Sequence, residues 1–387
     1  MAETKRLYYD DCYLHDFRAT VIDLADDGRR AYLDHTAFYP TSGGQPFDLG
    51  TLGGIAVRDV IDEDGRIAHV LEKPIAAGEI EAQVDWTRRF DHMQQHTGQH
   101  LLSAVLVDLY NITTLSFHMG AVTSTIEVDA QALETKKIER VEERCAEVIA
   151  EARPVVISYE DSSADLGLRK ESKRTGTLRI VSIPGLDRSA CGGTHVRSTA
   201  EIGPLQIRKL EKIRGNVRLE FVCGLRAVRR VREDFRTLSE ISRLLSVPFE
   251  ETAALIAAQI EKTKGLEKTA QKLGSELAQR EGRELYAASA ADASGIRRAT
   301  QTGPIDEAMR ARAQAFVAGS KAVFLAVCEN PPSVLLAASA DSGIHAGDRV
   351  KAAVTAAGGR GGGNPALAQG SVPTADALRS VVEAISK

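Results

Sequence analysis

Apolar residues recur at intervals of three and four in two stretches of the chain, and this spacing predicts two helices. In the first stretch, over about residues 88–110, Leu101, Val105 and Leu109 form one row and Leu102 and Leu106 form the next. In the second, Asp129 is the predicted N-cap of a helix over about residues 131–151. The buried side of that helix consists of Ile138, Val141, Cys145, Val148 and Ile149.

Short apolar runs divided by turn residues predict strands over most of the remaining sequence up to residue 224. In the first 90 residues such runs lie at 21–24, 30–33, 55–62, 67–72 and 80–84. Further strands are predicted at 155–159, 177–183, 204–212 and 216–223. Strands with helices among them predict an α+β fold. We place a β-rich subdomain at residues 1–90 and a second part of the same domain at 91–224.

The pattern changes at residue 225, where the chain becomes long, charged and helical. Over residues 225–287, Leu266, Leu273, Leu277 and Leu285 keep a rough heptad spacing, and Pro248 predicts a break between two helices. The segment fits an antiparallel hairpin or an intermolecular coiled coil, and the small number of heptads favours the hairpin. Residues 288–387 combine short strands and helices with a glycine-rich tail, which predicts a small α/β domain.

Composition narrows the class of protein. The 387 residues are 43% hydrophobic and carry a net charge of -4, so RNA binding would have to come from local basic patches. The 5 cysteines are scattered, which argues against a disulfide framework. No apolar run approaches the roughly 18 residues that a membrane span requires, and no targeting pattern is visible. We therefore expect a cytoplasmic protein with no membrane partner.

Two short motifs supply candidate metal ligands. His96 and His100 are one helical turn apart, so their imidazoles lie on one face of the first predicted helix. Cys191 and His195 have the same spacing, with two glycines between them. Three imidazoles and a thiolate suit one Zn²⁺ ion, although His195 or a water molecule can complete the tetrahedron. Thr97 stands where a metalloprotease of the H-E-x-x-H type carries its general base, which argues against that class.

Two glycine-rich stretches are candidate binding loops. In the first, Gly43 and Gly44 allow close approach of the backbone to a ligand, and Thr36 and Gln45 supply neutral hydrogen-bonding groups. This stretch can also be a plain β-turn loop. The second, residues 358–370, surrounds Arg360 with glycines, which are costly for folding. A role for its backbone N–H groups in binding phosphate or sugar oxygens is therefore favoured over a flexible linker.

Together these motifs resemble the long form of the AlaX-type alanyl-tRNA editing proteins, and the editing and C-terminal domains of alanyl-tRNA synthetase. The resemblance rests on residues 96–104 and 189–195, the loop 38–46, the strand pair near 214–221 and the tail 358–370. It implies a two-part editing domain of antiparallel sheets with packed helices around a zinc site. A helical segment at 225–287 and a tRNA-binding domain at 288–387, of the type shared with DHH phosphoesterases, follow it.

The resemblance also implies a function, namely zinc-dependent trans-editing that deacylates tRNA(Ala) mischarged with Ser or Gly, chiefly Ser-tRNA(Ala). It implies zinc ligands at His96, His100, Cys191 and His195. It assigns catalysis to Thr36, Gln45 and Gln95, and it assigns substrate binding to Thr36, Gly43, Gly44, Asp187, Arg214, Arg218 and Arg360.

Three points stay open at the level of sequence. The chain can be a zinc-stabilised RNA-binding module without hydrolysis, or a protein that resembles a synthetase without sharing its activity. Too few residues precede the editing-type loop for a class II catalytic core, so we expect no activation of alanine by ATP. The helical segment and the tail are compatible with a homodimer.

Overall fold

The structure is a computed structural model that describes residues 3–171 and 175–387. The chain forms two compact units, one that ends at Glu240 and one that begins at Ile241. Both mix helices and sheets, which confirms the predicted α+β class. The finer domain boundaries near residues 90, 224 and 287 remain predictions. No helix in the described ranges combines the length and apolar character needed to cross a membrane.

The N-terminal part of the first unit contains a closed β-barrel. Its strands are β1 (Lys5–Arg6), β2 (Asp16–Ala25), β3 (Arg30–Leu33), β4 (His35–Thr36), β5 (Gly50–Leu52), β6 (Ile55–Glu63), β7 (Arg66–Leu71) and β8 (Gly78–Val84). Six of them close the barrel in the order β2-β3-β7-β6-β5-β8, and β1 pairs with β4 in parallel. Alternate side chains, including Leu33, Val57 and Ile67, fill the interior. The predicted glycine loop connects β4 to β5.

The second part of this unit is built around a long helix, α1 (Trp86–Tyr110), which Asp85 caps by accepting a hydrogen bond from the Arg88 N–H. The elements that follow are β9 (Thr114–Met119), β10 (Ser124–Val128), α2 (Thr135–Ala150), β11 (Val156–Asp161), β12 (Thr177–Ile183), β13 (Asp187–Ala190), β14 (Leu205–Ile213) and β15 (Asn216–Cys223). They form one antiparallel sheet in the order β14-β15-β10-β9 and another in the order β11-β12-β13. Helix α1 contacts α2 and strands of both sheets.

The two predicted apolar stripes meet in one core. Leu101, Leu102, Val105 and Leu106 of α1 are buried in the same cluster as Val141 and the other inward residues of α2. The predicted start of α2 is wrong. Its N-cap is Glu134, because Asp129 still belongs to the end of the preceding strand region, where its N–H donates to the Thr113 carbonyl.

The helical segment consists of α3 (Gly224–Leu245) and α4 (Phe249–Ala288). Pro248 is the N-cap of α4, so the predicted break between two helices is confirmed. The remaining elements are β16 (Arg297–Thr302), α5 (Glu307–Val317), β17 (Ala322–Glu329), β18 (Pro332–Ala338), α6 (Ala346–Ala356), β19 (Arg360–Gly363), β20 (Leu367–Ser371) and α7 (Ala375–Ser386). Their sheet has the order β16-β17-β18-β20-β19, with only the β16–β17 pair parallel.

The glycines of the tail have a structural cause that the sequence interpretation missed. Residues Arg360–Gly363 form the edge strand β19, paired with β20. A Cβ atom at Gly359, Gly361 or Gly363 would collide with the backbone of the neighbouring strand. The view that folding does not explain these glycines is therefore wrong, because close packing of two strands requires several of them.

Candidate metal centre and its cavity

Two elements bring the four predicted ligands together. His96 and His100 project from successive turns of α1, and Cys191 and His195 lie in the segment that follows β13. Their ligating atoms all lie within 4.8 Å of one another. The Cys191 Sγ is 3.5 Å from His96 Nε2 and 3.3 Å from His195 Nε2. Tetrahedral Zn²⁺, with Zn–S of about 2.3 Å and Zn–N of about 2.0 Å, would separate such atoms by about 3.5 Å. The group can therefore hold a metal ion.

Each imidazole is oriented by a partner at its other ring nitrogen. His96 Nδ1 is 2.8 Å from the Gln45 Oε1, and His100 Nδ1 is 2.9 Å from the Asp187 Oδ2. His195 Nδ1 is 3.2 Å from the Thr97 hydroxyl. That hydroxyl donates to the Met93 carbonyl and so accepts from His195. All three partners are acceptors, which places the proton on Nδ1 and leaves the Nε2 lone pair for a metal.

The electrostatic environment favours the protonation states in which Cys191 and His195 bind a metal ion. Burial opposes ionisation of the Cys191 thiol, but the imidazoles of His96 and His195 bring its pKa well below 9.0. Burial lowers the pKa of His195 to about 3, so this imidazole is neutral. For His100, burial is outweighed by Asp187 and Cys191, which raise its pKa to about 9. A thiolate beside neutral imidazoles is the state that binds Zn²⁺, and binding at His100 would displace its proton.

One of the two glycines of the Cys191–His195 segment is needed for this convergence. A Cβ atom on Gly193 would collide with the His96 imidazole, and one on Gly192 would lie 3.4 Å from the Tyr9 hydroxyl. Gly193 therefore lets the segment approach α1 closely enough for the ligands to meet.

A buried arginine that the sequence analysis missed holds the same segment. Arg179, on β12, is 8% exposed, and its guanidinium donates to the carbonyls of Cys191 and Gly193 at 2.7 and 3.0 Å. It also donates to the Tyr9 carbonyl at 3.2 Å. An arginine among the apolar residues Leu178, Ile180 and Val181 was the available sign, since a buried cation needs specific partners.

The cluster opens into a cavity of about 670 Å³. Three of the four candidate ligands, His96, His100 and Cys191, line it. Its walls also include residues from the glycine loop, β9 and β12, among them Tyr39, Gly43, Phe117 and Arg179. Phe117 stacks on the His96 imidazole with ring centroids 5.4 Å apart. The cavity has a volume typical of small-ligand sites, and candidate metal ligands lie in its wall. Both features fit an active-site cavity.

The other predicted residues of the glycine loop take different positions. Gly43 lines the cavity, whereas Gly44 packs against Phe117, where a Cβ atom would lie 2.7 Å from the carbonyl oxygen. Gln45 sits behind His96. Thr36 is buried, and its hydroxyl contacts His69 Nε2 at 2.9 Å and accepts from the Phe38 N–H. It is not among the residues that line the cavity.

Gln95 and Asp187 have structural contacts. The Gln95 amide exchanges two hydrogen bonds with the backbone of Cys223, at 2.9 and 3.0 Å, and does not line the cavity. Its catalytic role stays a prediction that this geometry does not favour. Asp187 lies behind His100, where it also contacts Arg169 and Ser189. Its position fits the support of a ligand better than contact with substrate.

The three arginines predicted to bind substrate lie outside the cavity wall. Arg214 sits in the turn between β14 and β15 with φ of 50°, and Arg218 lies on β15 with its guanidinium 4.0 Å from Glu127. Arg360 is exposed at the start of β19, in the second unit. Their roles stay predictions.

Residues 178–220, which include Cys191 and His195, match the family described as the threonyl and alanyl tRNA synthetase second additional domain. Residues 311–387 match the DHHA1 domain. Alanyl-tRNA editing protein Aarsd1-A of Xenopus laevis is 32% identical over 67% of this chain and 68% of its own length. The chain belongs to the alanyl-tRNA editing protein family. This confirms the resemblance noted in the sequence.

Two further relatives match the chain over part of their own length. Alanyl-tRNA editing protein AlaX-L of Pyrococcus horikoshii is 38% identical over 60% of this chain, which spans 61% of AlaX-L. An alanine–tRNA ligase of Pyrococcus abyssi is 29% identical over 100% of this chain, which spans 44% of that enzyme. The chain thus covers less than two thirds of the length of these two relatives.

Proposed function

We propose that this protein is a hydrolase that deacylates tRNA(Ala) mischarged with serine, and also with glycine, at a zinc site. The observation that carries the proposal is the cluster of His96, His100, Cys191 and His195, of which the first three line a cavity. The relatives AlaX-L and Aarsd1-A are named alanyl-tRNA editing proteins, which supports the substrate class.

Zinc is the metal that the ligand set favours. Three imidazoles with one thiolate form a tetrahedral N/S site of the kind that Zn²⁺ occupies. Structural zinc sites are usually closed by several cysteines, whereas here three ligands lie in the wall of a cavity. Zn²⁺ would supply Lewis-acid chemistry, which polarises an ester carbonyl or anchors an amino group.

Three side chains orient the candidate ligands, and one of them, Thr97, stands at the position where H-E-x-x-H enzymes carry a general base. Gln45, Asp187 and Thr97 fix the three imidazoles. The Thr97 hydroxyl is committed to the Met93 carbonyl and the Val196 N–H, so it cannot take a proton from water. We infer that the proton of the attacking water passes, through an ordered water or the neighbouring hydroxyl of the substrate's ribose, to the ribose oxygen that leaves the ester.

A second hydrolytic site for these esters has a physical rationale. A pocket built for alanine admits the smaller glycine and rejects an added hydroxyl only by about 100-fold. In this proposal Gly43 and Gly44 shape the amino-acid end of the cavity. Thr36 affects recognition of serine indirectly, because its hydroxyl accepts a hydrogen bond from Phe38 at the start of the glycine loop. Arg214, Arg218 and Arg360 contact the tRNA backbone.

The deciding experiment combines metal analysis with deacylation. Purified full-length protein should contain about one zinc per chain and should hydrolyse Ser-tRNA(Ala) at least about 100-fold faster than Ala-tRNA(Ala). Removing the metal with a chelator should abolish the activity, and adding Zn²⁺ should restore it. Folded, zinc-loaded protein that binds tRNA(Ala) but leaves the serine ester intact would identify an RNA-binding module with structural zinc. Alanine-dependent ATP–pyrophosphate exchange would point to a synthetase.

The residues behind the ligands give a graded prediction. Gln45→Ala removes the acceptor that orients His96, so zinc affinity and deacylation should each fall by about 10- to 100-fold. Zinc affinity is measured by competition with a chromophoric chelator. Gln83→Ala is the matched control, because Gln83 is exposed on the barrel and its amide contacts Asp16. Equal zinc affinity in the two variants would remove Gln45 from this role.

A further inference from the structure

We propose that a second cavity of the first unit binds the nucleotide that precedes the terminal nucleotide of a single-stranded RNA end. The inference rests on the proposed function, because that function places the 3′-terminal nucleotide in the cavity beside the metal cluster. The second cavity has a volume of about 650 Å³ and is lined by residues of α1 and α3, by Pro46 and by the turn at Gly120 and Ala121.

Three structural elements contribute residues to both cavities. On α1, His92 lines the second cavity, and His96, one turn later, lines the first. On the glycine loop, Pro46 lines the second cavity and Gly43 lines the first. After β9, the turn at Gly120 lines the second cavity and Phe117 lines the first. His92 and His96 are one helical turn apart, which is about 5.4 Å along the axis of α1. This spacing is close to that of adjacent nucleotides in a strand. A strand leaving the first cavity can therefore reach the second.

An unsatisfied imidazole marks the second cavity as a binding site. His92 is 3% exposed, and its Nδ1 has no hydrogen-bond partner among the described residues. Buried polar atoms are normally paired, so an unpaired one in a cavity wall calls for a partner from outside. An imidazole nitrogen can accept from an exocyclic amino group of a base or donate to a carbonyl oxygen of one.

The aromatic residues beside His92 provide stacking surfaces. Trp86 and Phe90 line the cavity, and their ring centroids are 5.4 Å apart. Sites for single-stranded RNA typically combine such rings with cations that contact the backbone. This combination favours a nucleotide over an apolar ligand.

One arginine is available for the phosphate. Arg226 is committed to Asp91 and to the Gly120 carbonyl, with its Nε 2.9 Å from Asp91 Oδ1. Arg88 donates to the Phe47 carbonyl. Arg229 lines the cavity, is exposed, and takes part in no ion pair or hydrogen bond within residues 3–171 and 175–387. The acidic wall residues are Asp91 and Asp85, which caps α1.

The test compares a long and a short substrate. Arg229→Ala should raise KM for Ser-tRNA(Ala) by about five- to tenfold with little change in kcat, because one phosphate contact is lost. Hydrolysis of 3′-O-seryl adenosine, which lacks the preceding nucleotides, should change by less than about twofold. The matched control is Arg236→Ala, which removes an exposed charge from the same face of α3, two turns away from the cavity.

Three results would overturn the inference. Equal loss in Arg229→Ala and Arg236→Ala would indicate general attraction of RNA to α3. An equal fall in the hydrolysis of the long and the short substrate would indicate damage to the cavity beside the candidate ligands. An unchanged KM in both Arg229→Ala and Trp86→Ala would remove the cavity from RNA binding. If the wild-type protein hydrolyses neither ester, the proposed function has failed. Binding of a fluorescent CCA trinucleotide, weakened by Arg229→Ala and not by Arg236→Ala, then still decides whether the second cavity binds RNA.

Discussion

Cys191→Ala should abolish zinc binding and lower kcat/KM for Ser-tRNA(Ala) by at least about 1,000-fold. Loss of a residue that only orients a ligand already costs about 10- to 100-fold, and Cys191 is a candidate ligand itself. Its thiolate is also the one anion in the ligand set, so its removal leaves only imidazoles, which carry no negative charge, to bind a dication. Both effects act on the same ion and should therefore appear together.

The measurement is the zinc content of the purified variant together with its rate of deacylation. Cys328→Ala is the control, because Cys328 is also a free cysteine but lies on β17 in the second unit, whereas the candidate ligands belong to the first unit. The control should keep one zinc per chain and full activity. A Cys191→Ala protein that retains zinc and hydrolyses the ester would show that the imidazoles suffice and that the assignment of this ligand is wrong.

The sequence predicts the four candidate metal ligands well because much of their arrangement is local. His96 and His100 are one turn apart on a helix, and Cys191 and His195 lie on one short segment. Helical spacing alone places the first pair on one face, and the four-residue separation of the second pair keeps its members close together. The same holds for the two apolar stripes, which predict α1 and α2 and their shared core. Only the meeting of the two pairs depends on tertiary structure, and the ligand chemistry indicates that meeting in advance.

The contacts that orient the imidazoles escape prediction because their partners come from distant parts of the chain, although Gln45 and Asp187 are themselves predicted as site residues. Gln45 and His96 are 51 residues apart, Asp187 and His100 are 87 apart, and Thr97 and His195 are 98 apart. No period or turn motif encodes such a contact. Thr97 is an example. The sequence shows only that a threonine replaces the general-base glutamate of a metalloprotease, whereas the structure shows that its hydroxyl orients His195.

Residue type alone does not show how two further features pack. The resemblance assigns catalysis to Gln95, whereas in the structure its amide holds the Cys223 backbone. The tail glycines suggest phosphate binding, yet close strand packing explains several of them. In both cases the sequence shows that an unusual residue is required, and only the packing around it shows why.

Arg89→Met should be a severely destabilising change, because it would leave a buried carboxylate without its partner. The side chains of Arg89 and Asp48 are both fully buried, and Arg89 Nε is 3.1 Å from Asp48 Oδ2. The guanidinium also donates to the carbonyls of Cys12 and Ala37. These contacts tie α1 to the loop that carries Gly43 and Gln45. Removing one partner of such a pair costs about 3–5 kcal/mol.

Thermal and urea unfolding of the full-length protein would measure this loss. Arg58→Ala serves as the control, because Arg58 and Glu72 form an exposed pair on the barrel, and exposed pairs contribute about 0–1 kcal/mol. The double variant Asp48→Leu with Arg89→Met should recover part of the stability, since it removes both buried charges. If Arg89→Met unfolds like Arg58→Ala, the pair does not hold the loop. If the double variant is folded but hydrolyses the serine ester slowly, the pair acts mainly by placing Gln45 behind His96.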